Sequence, residues 1–287
     1  MVNKTIHAAI AEMREQFKAI GLDTPELDAR LLAQGILGLR HDELLLNYNK
    51  LITDSECEIL IAAARRRVLR EPVSRILGTR AFWKSEFKIS RETLDPRADS
   101  ETLIEAALGY LGKAHPLSVL DLGTGSGCLL LSLLHELPQA TGVGVDISAD
   151  AIQTAQLNAE DMRLSVRASF VALDWEDMKV DQPFDVVISN PPYIANAEIA
   201  KLEPEVRQYD PLRALAGGTD GLDCYRSIAK LLPLFLTRQG KVFLEIGYDQ
   251  AETVKGILAA GGFRVLQVVP DLAGHSRCVV AQRVSQD

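Results

Sequence analysis

Long apolar runs are missing from this 287-residue chain. The longest, Cys128–Leu134 and Leu231–Leu236, fall far short of the roughly 18 residues a membrane span needs. The N-terminal stretch interrupts its apolar residues with Lys4, Glu12, Arg14 and Glu15, which is not the pattern of a signal peptide. Cysteine is scarce: Cys57, Cys128, Cys224 and Cys278 are scattered and form no CxxC pair. A zinc knuckle or disulfide framework is therefore not expected, nor is any metal site; reduced thiols in a cytoplasmic protein are. No internal repeat or low-complexity segment occurs. With 47% apolar and 24% charged residues, wholesale disorder is excluded, and the length suffices for one large domain or two smaller ones.

Charge is present but uneven. Residues 1–90 carry 14 basic and 12 acidic groups, whereas residues 91–287 carry 17 and 27. An acidic main body repels a phosphate backbone and argues against a dedicated duplex-DNA binder. Arg65, Arg66, Arg67, Arg70 and Arg75 form a local basic cluster. It reads either as the solvated end of a helix or as a docking surface for an acidic or RNA-associated partner.

Residues 1–75 read as a small helical bundle. Ile6, Ala9, Ile10, Met13 and Phe17 recur at helical spacing, Thr24-Pro25-Glu26 looks like a helix start leading into Leu27–Leu37, and Thr53–Glu56 opens a further helix through Val68. Residues 76–95 change texture: Gly78, then Phe82, Phe87 and Ile89 in short alternation, suggest a β-hairpin linker. From residue 96 to 287 a helix over Glu101–Leu111 precedes regular strand–helix alternation. Strands are expected at 118–122, 141–147, 169–173, 184–189, 241–246, 263–269 and 277–282. With no helix between the last two, they must pair antiparallel at an edge of an otherwise parallel sheet. The expectation is an α/β domain with seven strands, a small N-terminal helical bundle and a β-hairpin connector.

Two segments carry chemistry. Asp121-Leu-Gly123-Thr124-Gly125-Ser126-Gly127 follows a predicted strand and opens a predicted helix, where glycines allow a sharp turn and close backbone approach to a ligand. The same letters also serve a tight structural turn. Asp146 ends the next strand, where a carboxylate can hold ribose hydroxyls. The spacing is GxGxG rather than the dinucleotide GxGxxG, and no phosphate-loop lysine is present. A nucleoside cofactor without pyrophosphate fits, and S-adenosylmethionine is the expected one, leaving S-adenosylhomocysteine as product.

The second segment is Asn190-Pro191-Pro192-Tyr193, directly after the strand 184–189, at the carboxyl end where open α/β sheets bind ligands. Read plainly it is a proline-rich turn. Read as a site, its residue types suit a flat, weakly nucleophilic nitrogen: the Asn190 oxygen accepts one N–H of an amide or exocyclic amine, a carbonyl kept free by Pro191 accepts the other, and Tyr193 offers an aromatic wall. Holding such a nitrogen against a methyl donor contributes several kcal/mol, up to roughly 7–11 in ideal intramolecular cases.

Glu71-Pro-Val-Ser-Arg-Ile-Leu-Gly78, Phe82-Trp83, Asp95–Glu101, Asp174-Trp175, Tyr209–Leu215 and Leu244-Glu-Ile-Gly247 join these segments in one order. Together they resemble the PrmC/HemK family of peptide chain release factor glutamine methyltransferases, over nearly the whole chain. The resemblance implies a class I, Rossmann-like methyltransferase domain that methylates the side-chain amide nitrogen (N5) of the glutamine in the Gly-Gly-Gln motif of class 1 release factors. It implies that the helical bundle grips the protein substrate, with no membrane or direct nucleic-acid contact and a monomeric enzyme. It assigns Gly123–Gly127 and Asp146 to the cofactor, Trp175 to the neighbourhood of the adenine, Asn190 to both cofactor and glutamine, and Asn190–Tyr193 to the substrate amide. Trp175 also reads as an ordinary half-buried loop aromatic. The usual Ile-Pro-Arg-Pro-Asp-Thr-Glu of the family is here Asp95-Pro96-Arg97-Ala98-Asp99-Ser100-Glu101, and the replacements at Asp95 and Ala98 bear on the rigidity of a loop implied to lie at the active-site mouth. Glu101 reads either as a group near the sulfonium or as a first-turn helix acid. Glutamine methylation of a ribosomal protein, adenine-N6 methylation of DNA and a non-catalytic adaptor remain the competing functions.

Overall fold

A computed structural model describes residues 4–112 and 115–284. The chain divides into two compact units, one of residues up to Thr79 together with Glu203–Tyr209, the other of Arg80–Leu202 and Asp210 onward. The domain boundary expected at residue 75 falls inside a short helix, Val73–Leu77.

The first unit is helical: α1 (Ile6–Ala19), α2 (Pro25–Leu37), α3 (His41–Leu46), α4 (Asp54–Val68), α5 (Val73–Leu77) and, from far along the chain, α9 (Pro204–Tyr209). Local chemistry sets the ends. The Thr5 hydroxyl accepts from the Ala8 amide, Pro25 opens α2, Thr53 and Glu56 form a capping box on α4, and Gly38 and Gly78 end α2 and α5 with left-handed backbones. Phe17, Ala29, Leu32, Leu44 and Leu60 fill the core. The basic cluster is largely neutralised within this unit. Arg67 is buried, with Nε 2.7 Å from Asp28 Oδ2 and a guanidinium nitrogen 3.1 Å from Glu205 Oε1. Arg66 forks onto Glu71, and Arg70 meets Glu205 at 2.9 Å. Both sequence readings of the cluster missed this inward-facing role.

The second unit holds a two-stranded hairpin and a seven-stranded sheet. The hairpin is β1 (Thr79–Phe82) and β2 (Ser85–Lys88). The sheet contains β3 (Ser118–Leu122), β4 (Thr141–Asp146), β5 (Ala168–Ala172), β6 (Phe184–Ser189), β7 (Leu236–Glu245), β8 (Phe263–Pro270) and β9 (Ser276–Arg283), in the order β5-β4-β3-β6-β7-β9-β8. The first five are parallel; β9 is antiparallel to both β7 and β8. The expected antiparallel pair is present, but its second strand is interior. Cys278–Ala281 are all buried, so β9 needs partners on both sides, while the more exposed β8 takes the edge.

Helices α6 (Glu101–Tyr110), α7 (Cys128–Glu136) and α8 (Ala149–Asp161), with α10 (Asp223–Phe235) and α11 (Ala251–Ala260), cover the sheet. Val119, Val186 and Ile188 face the core of α6 and α7, whereas Leu120, Val187 and Val242 face that of α10 and α11. This α/β/α layering follows from strands that are apolar on both faces. No helix among the described residues is long and apolar enough to cross a membrane.

The topology positions the site. The direction in which successive strands are added reverses between β3 and β6, and the parallel register of these two pairs Leu122 with Ser189, so both strands end at one level. The residues that follow, Gly123 and Asn190, meet at the switch point, where an open α/β sheet leaves a crevice.

Candidate active site

That crevice is a cavity of about 300 Å³ within the second unit. Its walls include Gly123–Ser126, Asp146, Trp175, Asn190 and Pro192. Thus the glycine loop, the acid that ends β4, the tryptophan and two members of the tetrapeptide converge. Gly127, Pro191 and Tyr193 do not line it.

The glycine loop is held from below. The amides of Gly123 and Thr124 both donate to the Val145 carbonyl, at 2.8 and 2.9 Å. Gly125 and Gly127 have φ of 55° and 78°, backbone that side chains disfavour. A Cβ on Gly127 would also stand 3.2 Å from Ala155 and Leu131, so this glycine shapes the turn into α7 without touching the cavity. The Asp146 carboxylate accepts from the Gly125 and Ser148 amides, each at 2.9 Å, and burial raises its pKa against those bonds. Trp175 stands over the loop: a Cβ on Gly123 would meet its ring at 3.4 Å, and its Nε1 donates to Ser227 Oγ at 3.2 Å. It is therefore an ordered wall of the cavity.

Beneath the loop, Asp121 is fully buried. One oxygen accepts from Thr124 Oγ1 at 2.7 Å and the other has no partner. Burial pushes its carboxyl up to about 7, opposed by the Thr124 bond and reinforced by the nearby Asp146 charge. Because the folded-state pKa lies above the ordinary 3.8, the folded protein holds a proton that the unfolded chain releases between about pH 4 and 7, and stability drains away across that window as pH rises. Asp121→Asn removes this titration. Urea unfolding of both proteins is expected to show the variant gaining on the parent from pH 5 to pH 8 by an amount on the order of a few kcal/mol; a pH-independent difference would contradict the assignment.

Cys128 and Cys224 also line the cavity, but burial pushes their thiols up to about 12 and about 11, so neither is a thiolate nucleophile at neutral pH. Among the described residues no group of three or more His, Cys, Asp or Glu is placed to hold a metal ion.

Asn190 Nδ2 donates to Ser100 Oγ at 3.2 Å, leaving the side-chain oxygen as the acceptor available at the cavity. Pro191 is buried in the turn. The Tyr193 hydroxyl lies 3.3 Å from Glu245 Oε1, and burial together with the Glu245 charge raises the phenol's pKa. Tyr193 is thus a supporting strut in this structure rather than the wall expected for a planar group. Arg97 lines the cavity and pairs with buried Asp210. The loop that departs from the family pattern is well anchored: the Asp95 amide donates to Asp210, its carboxylate lies 3.7 Å from Arg80, and Arg80 donates to the Pro96 carbonyl. Glu101 accepts from the Trp83 amide at 2.8 Å, where Trp83 turns the hairpin at φ 54°. It serves the hairpin turn and not the cavity.

Sequence reasoning missed Ser100, Ile147, Leu173, Glu92 and Arg213 as lining residues. Ile147 and Leu173 sit next to flagged positions, Asp146 and Asp174-Trp175, so adjacency was the available signal. Glu92 and Arg213 form an ion pair from segments 121 residues apart, which no local pattern encodes.

Comparison with known proteins separates the two parts of the chain. Residues 8–78 match the PrmC N-terminal domain, and residues 114–233 match a methyltransferase domain. The release factor glutamine methyltransferase of Rhodospirillum rubrum is 47% identical over 93% of this chain and 82% of its own length. The chain belongs to the release factor glutamine methyltransferase family. Its counterpart in Agrobacterium fabrum is 40% identical, over 97% of this chain and 98% of that protein. A solved structure of the release factor-specific protein-(glutamine-N5) methyltransferase from Alicyclobacillus acidocaldarius is 32% identical over 66% of this chain and 94% of its own, with a TM-score of 0.41. Membership in the release factor glutamine methyltransferase family therefore rests on the sequences, which align along both units.

Proposed function

We propose that this enzyme transfers a methyl group from S-adenosylmethionine to the N5 side-chain nitrogen of the glutamine in the Gly-Gly-Gln motif of class 1 peptide chain release factors. The observation that carries the reading is the meeting of the Asn190 carboxamide with a nucleoside-type cradle at one switch point. The residues present fit the cofactor: a glycine loop with left-handed turns, an Asp146 carboxylate on the wall and a Trp175 ring. When bound, the cofactor supplies a methyl group on a sulfonium whose leaving group is a neutral thioether.

The chain's own residues supply position. Asn190, its nitrogen held by Ser100, accepts one N–H of the substrate amide through its oxygen. The other N–H falls to a backbone carbonyl of the proline turn; the Pro191 carbonyl is the proposed one, and because Pro191 does not line the cavity here, it would have to be reached by the substrate side chain itself. Fixing both hydrogens orients the nitrogen lone pair and excludes the rotations that solution would allow. The methylated nitrogen is strongly acidic until it releases a proton, so no strong base has to act before transfer. The helical unit is proposed to grip the release factor, and the four free thiols suit a cytoplasmic, reducing setting.

Mass spectrometry of a purified release factor, after incubation with enzyme and cofactor, tests this directly. One methyl on the Gly-Gly-Gln glutamine is expected. Label appearing only in a ribosomal protein or in DNA would overturn the substrate assignment.

Asp146→Ala gives a second check. It removes the acceptor for two backbone amides of the cradle as well as the proposed ribose ligand, and is expected to weaken cofactor affinity roughly 10- to 100-fold, as the loss of one to two charge-assisted bonds implies. Calorimetry showing unchanged affinity would remove the ribose role.

A further inference from the structure

Trp175 forms a wall of the cavity, yet it stands in a three-residue turn, Trp175–Asp177, that by itself fixes little. The torsion that sets the plane of an indole ring is broad, so packing alone leaves that plane loosely defined. In this protein the ring is held at both ends. Its six-membered edge lies against Gly123 of the glycine loop, where an added Cβ would come within 3.4 Å, and its Nε1 donates to Ser227 Oγ at 3.2 Å. Ser227 Oγ in turn donates to Glu176 Oε1 at 2.6 Å.

The polarity of these two bonds is fixed from both sides. An indole nitrogen can only donate, and a carboxylate oxygen can only accept. The hydroxyl between them must therefore accept from Trp175 and give its single proton to Glu176. A hydroxyl that donates to a carboxylate is polarised and becomes the better acceptor for the indole. Both supports are anchored. Ser227 stands on α10 between Tyr225 and Ile228, which are fully buried, so its hydroxyl moves only with the helix. The Glu176 amide donates to the Asp174 carboxylate at 3.0 Å, which ties down the turn. Cys224, one turn earlier on α10, lines the cavity. The helix thus borders the cavity directly through Cys224 and holds its aromatic wall through Ser227.

We propose that Ser227, backed by Glu176, is a positioning residue that sets the plane of the Trp175 ring as a flat wall for the base of the nucleoside cofactor. This rests on the functional reading above. A wall whose plane is set before binding spares the ordering cost that a free indole would meet when a planar base stacks on it. Neither Ser227 nor Glu176 lines the cavity, so their effect falls on cofactor affinity and not on the transfer step.

The test begins with the ring itself. The full chain has two tryptophans, Trp83 and Trp175, so its indole N–H region holds two NMR resonances, and Trp175→Phe identifies which is which. Ser227→Ala, which suits a helix and should preserve the fold, is expected to shift the Trp175 resonance and to speed its exchange with solvent. Calorimetric affinity for S-adenosylhomocysteine should fall roughly 3- to 10-fold, as the loss of one hydrogen bond implies. Turnover at saturating cofactor should stay within about twofold. Ser227→Thr, which restores the hydroxyl, should recover the affinity. Because Glu176 acts only through Ser227, Glu176→Ala should weaken binding in the parent and add nothing in the Ser227→Ala background. An unmoved indole resonance in Ser227→Ala, no recovery in Ser227→Thr, or losses that multiply in the double variant would each overturn the proposal. A parent enzyme that binds no S-adenosylhomocysteine would overturn the functional reading and the proposal with it. Equal binding by the parent and Ser227→Ala would overturn the proposal alone.

Discussion

Replacing Asn190 by alanine is expected to lower methylation turnover roughly 100- to 1,000-fold, the range seen when one preorganised hydrogen-bonding group is lost from an active site. The expectation follows from where the side chain sits. Asn190 lines the cavity, follows directly on β6, and spends its nitrogen on Ser100, which under the proposed function leaves its oxygen for the substrate. Alanine keeps the backbone turn, whose shape is set by Pro191 and Pro192, so the fold should be preserved. Cofactor affinity should change little relative to turnover. Comparing single-turnover rates with calorimetric cofactor binding separates the two effects, and turnover within a few-fold of the parent enzyme would remove Asn190 from the proposed chemistry.

The second large effect concerns stability. Arg67→Ala is expected to cost about 3–5 kcal/mol of unfolding free energy, the range for breaking a buried ion pair from one side. Arg67 and Asp28 side chains are each only 9% exposed, and Arg67 also reaches Glu205 at 3.1 Å. Alanine would leave Asp28 buried without its counter-charge, whereas removing both partners together should cost far less, because an apolar pair needs no solvation. Urea unfolding of Arg67→Ala and of an Arg67→Met/Asp28→Leu variant measures the difference. A loss below about 1 kcal/mol in Arg67→Ala would mean the pair behaves like an exposed one.

Both residues lay in stretches the sequence marks. Asn190 stands in a tetrapeptide directly after a strand, a local pattern that a linear reading can place, and the structure sets it on the cavity wall. Arg67 stands in a run of arginines that reads as a solvated helix end. Its real partners are Asp28, 39 residues away, and Glu205, 138 residues away. Nothing in a run of like charges reveals which member turns inward. The same contrast holds for Glu101 and Tyr193. Both lie in segments with the correct family pattern, but the structure commits Glu101 to the hairpin amide of Trp83 and Tyr193 to Glu245.

By itself the sequence determined the elements whose cause is local: helices with an apolar period and capping residues, strands bounded by turns, the left-handed glycine loop, and the seven-strand count. Those depend on backbone sterics and on side chains within one or two turns, which a linear reading contains. Tertiary structure alone decided the rest. It placed β9 inside the sheet because Cys278–Ala281 need burial on both sides, it folded Pro204–Tyr209 into the helical unit, and it brought Ser100 onto Asn190 and Glu245 onto Tyr193. Each of these is a contact between distant segments, and its energy exists only once the chain has closed the loops between them.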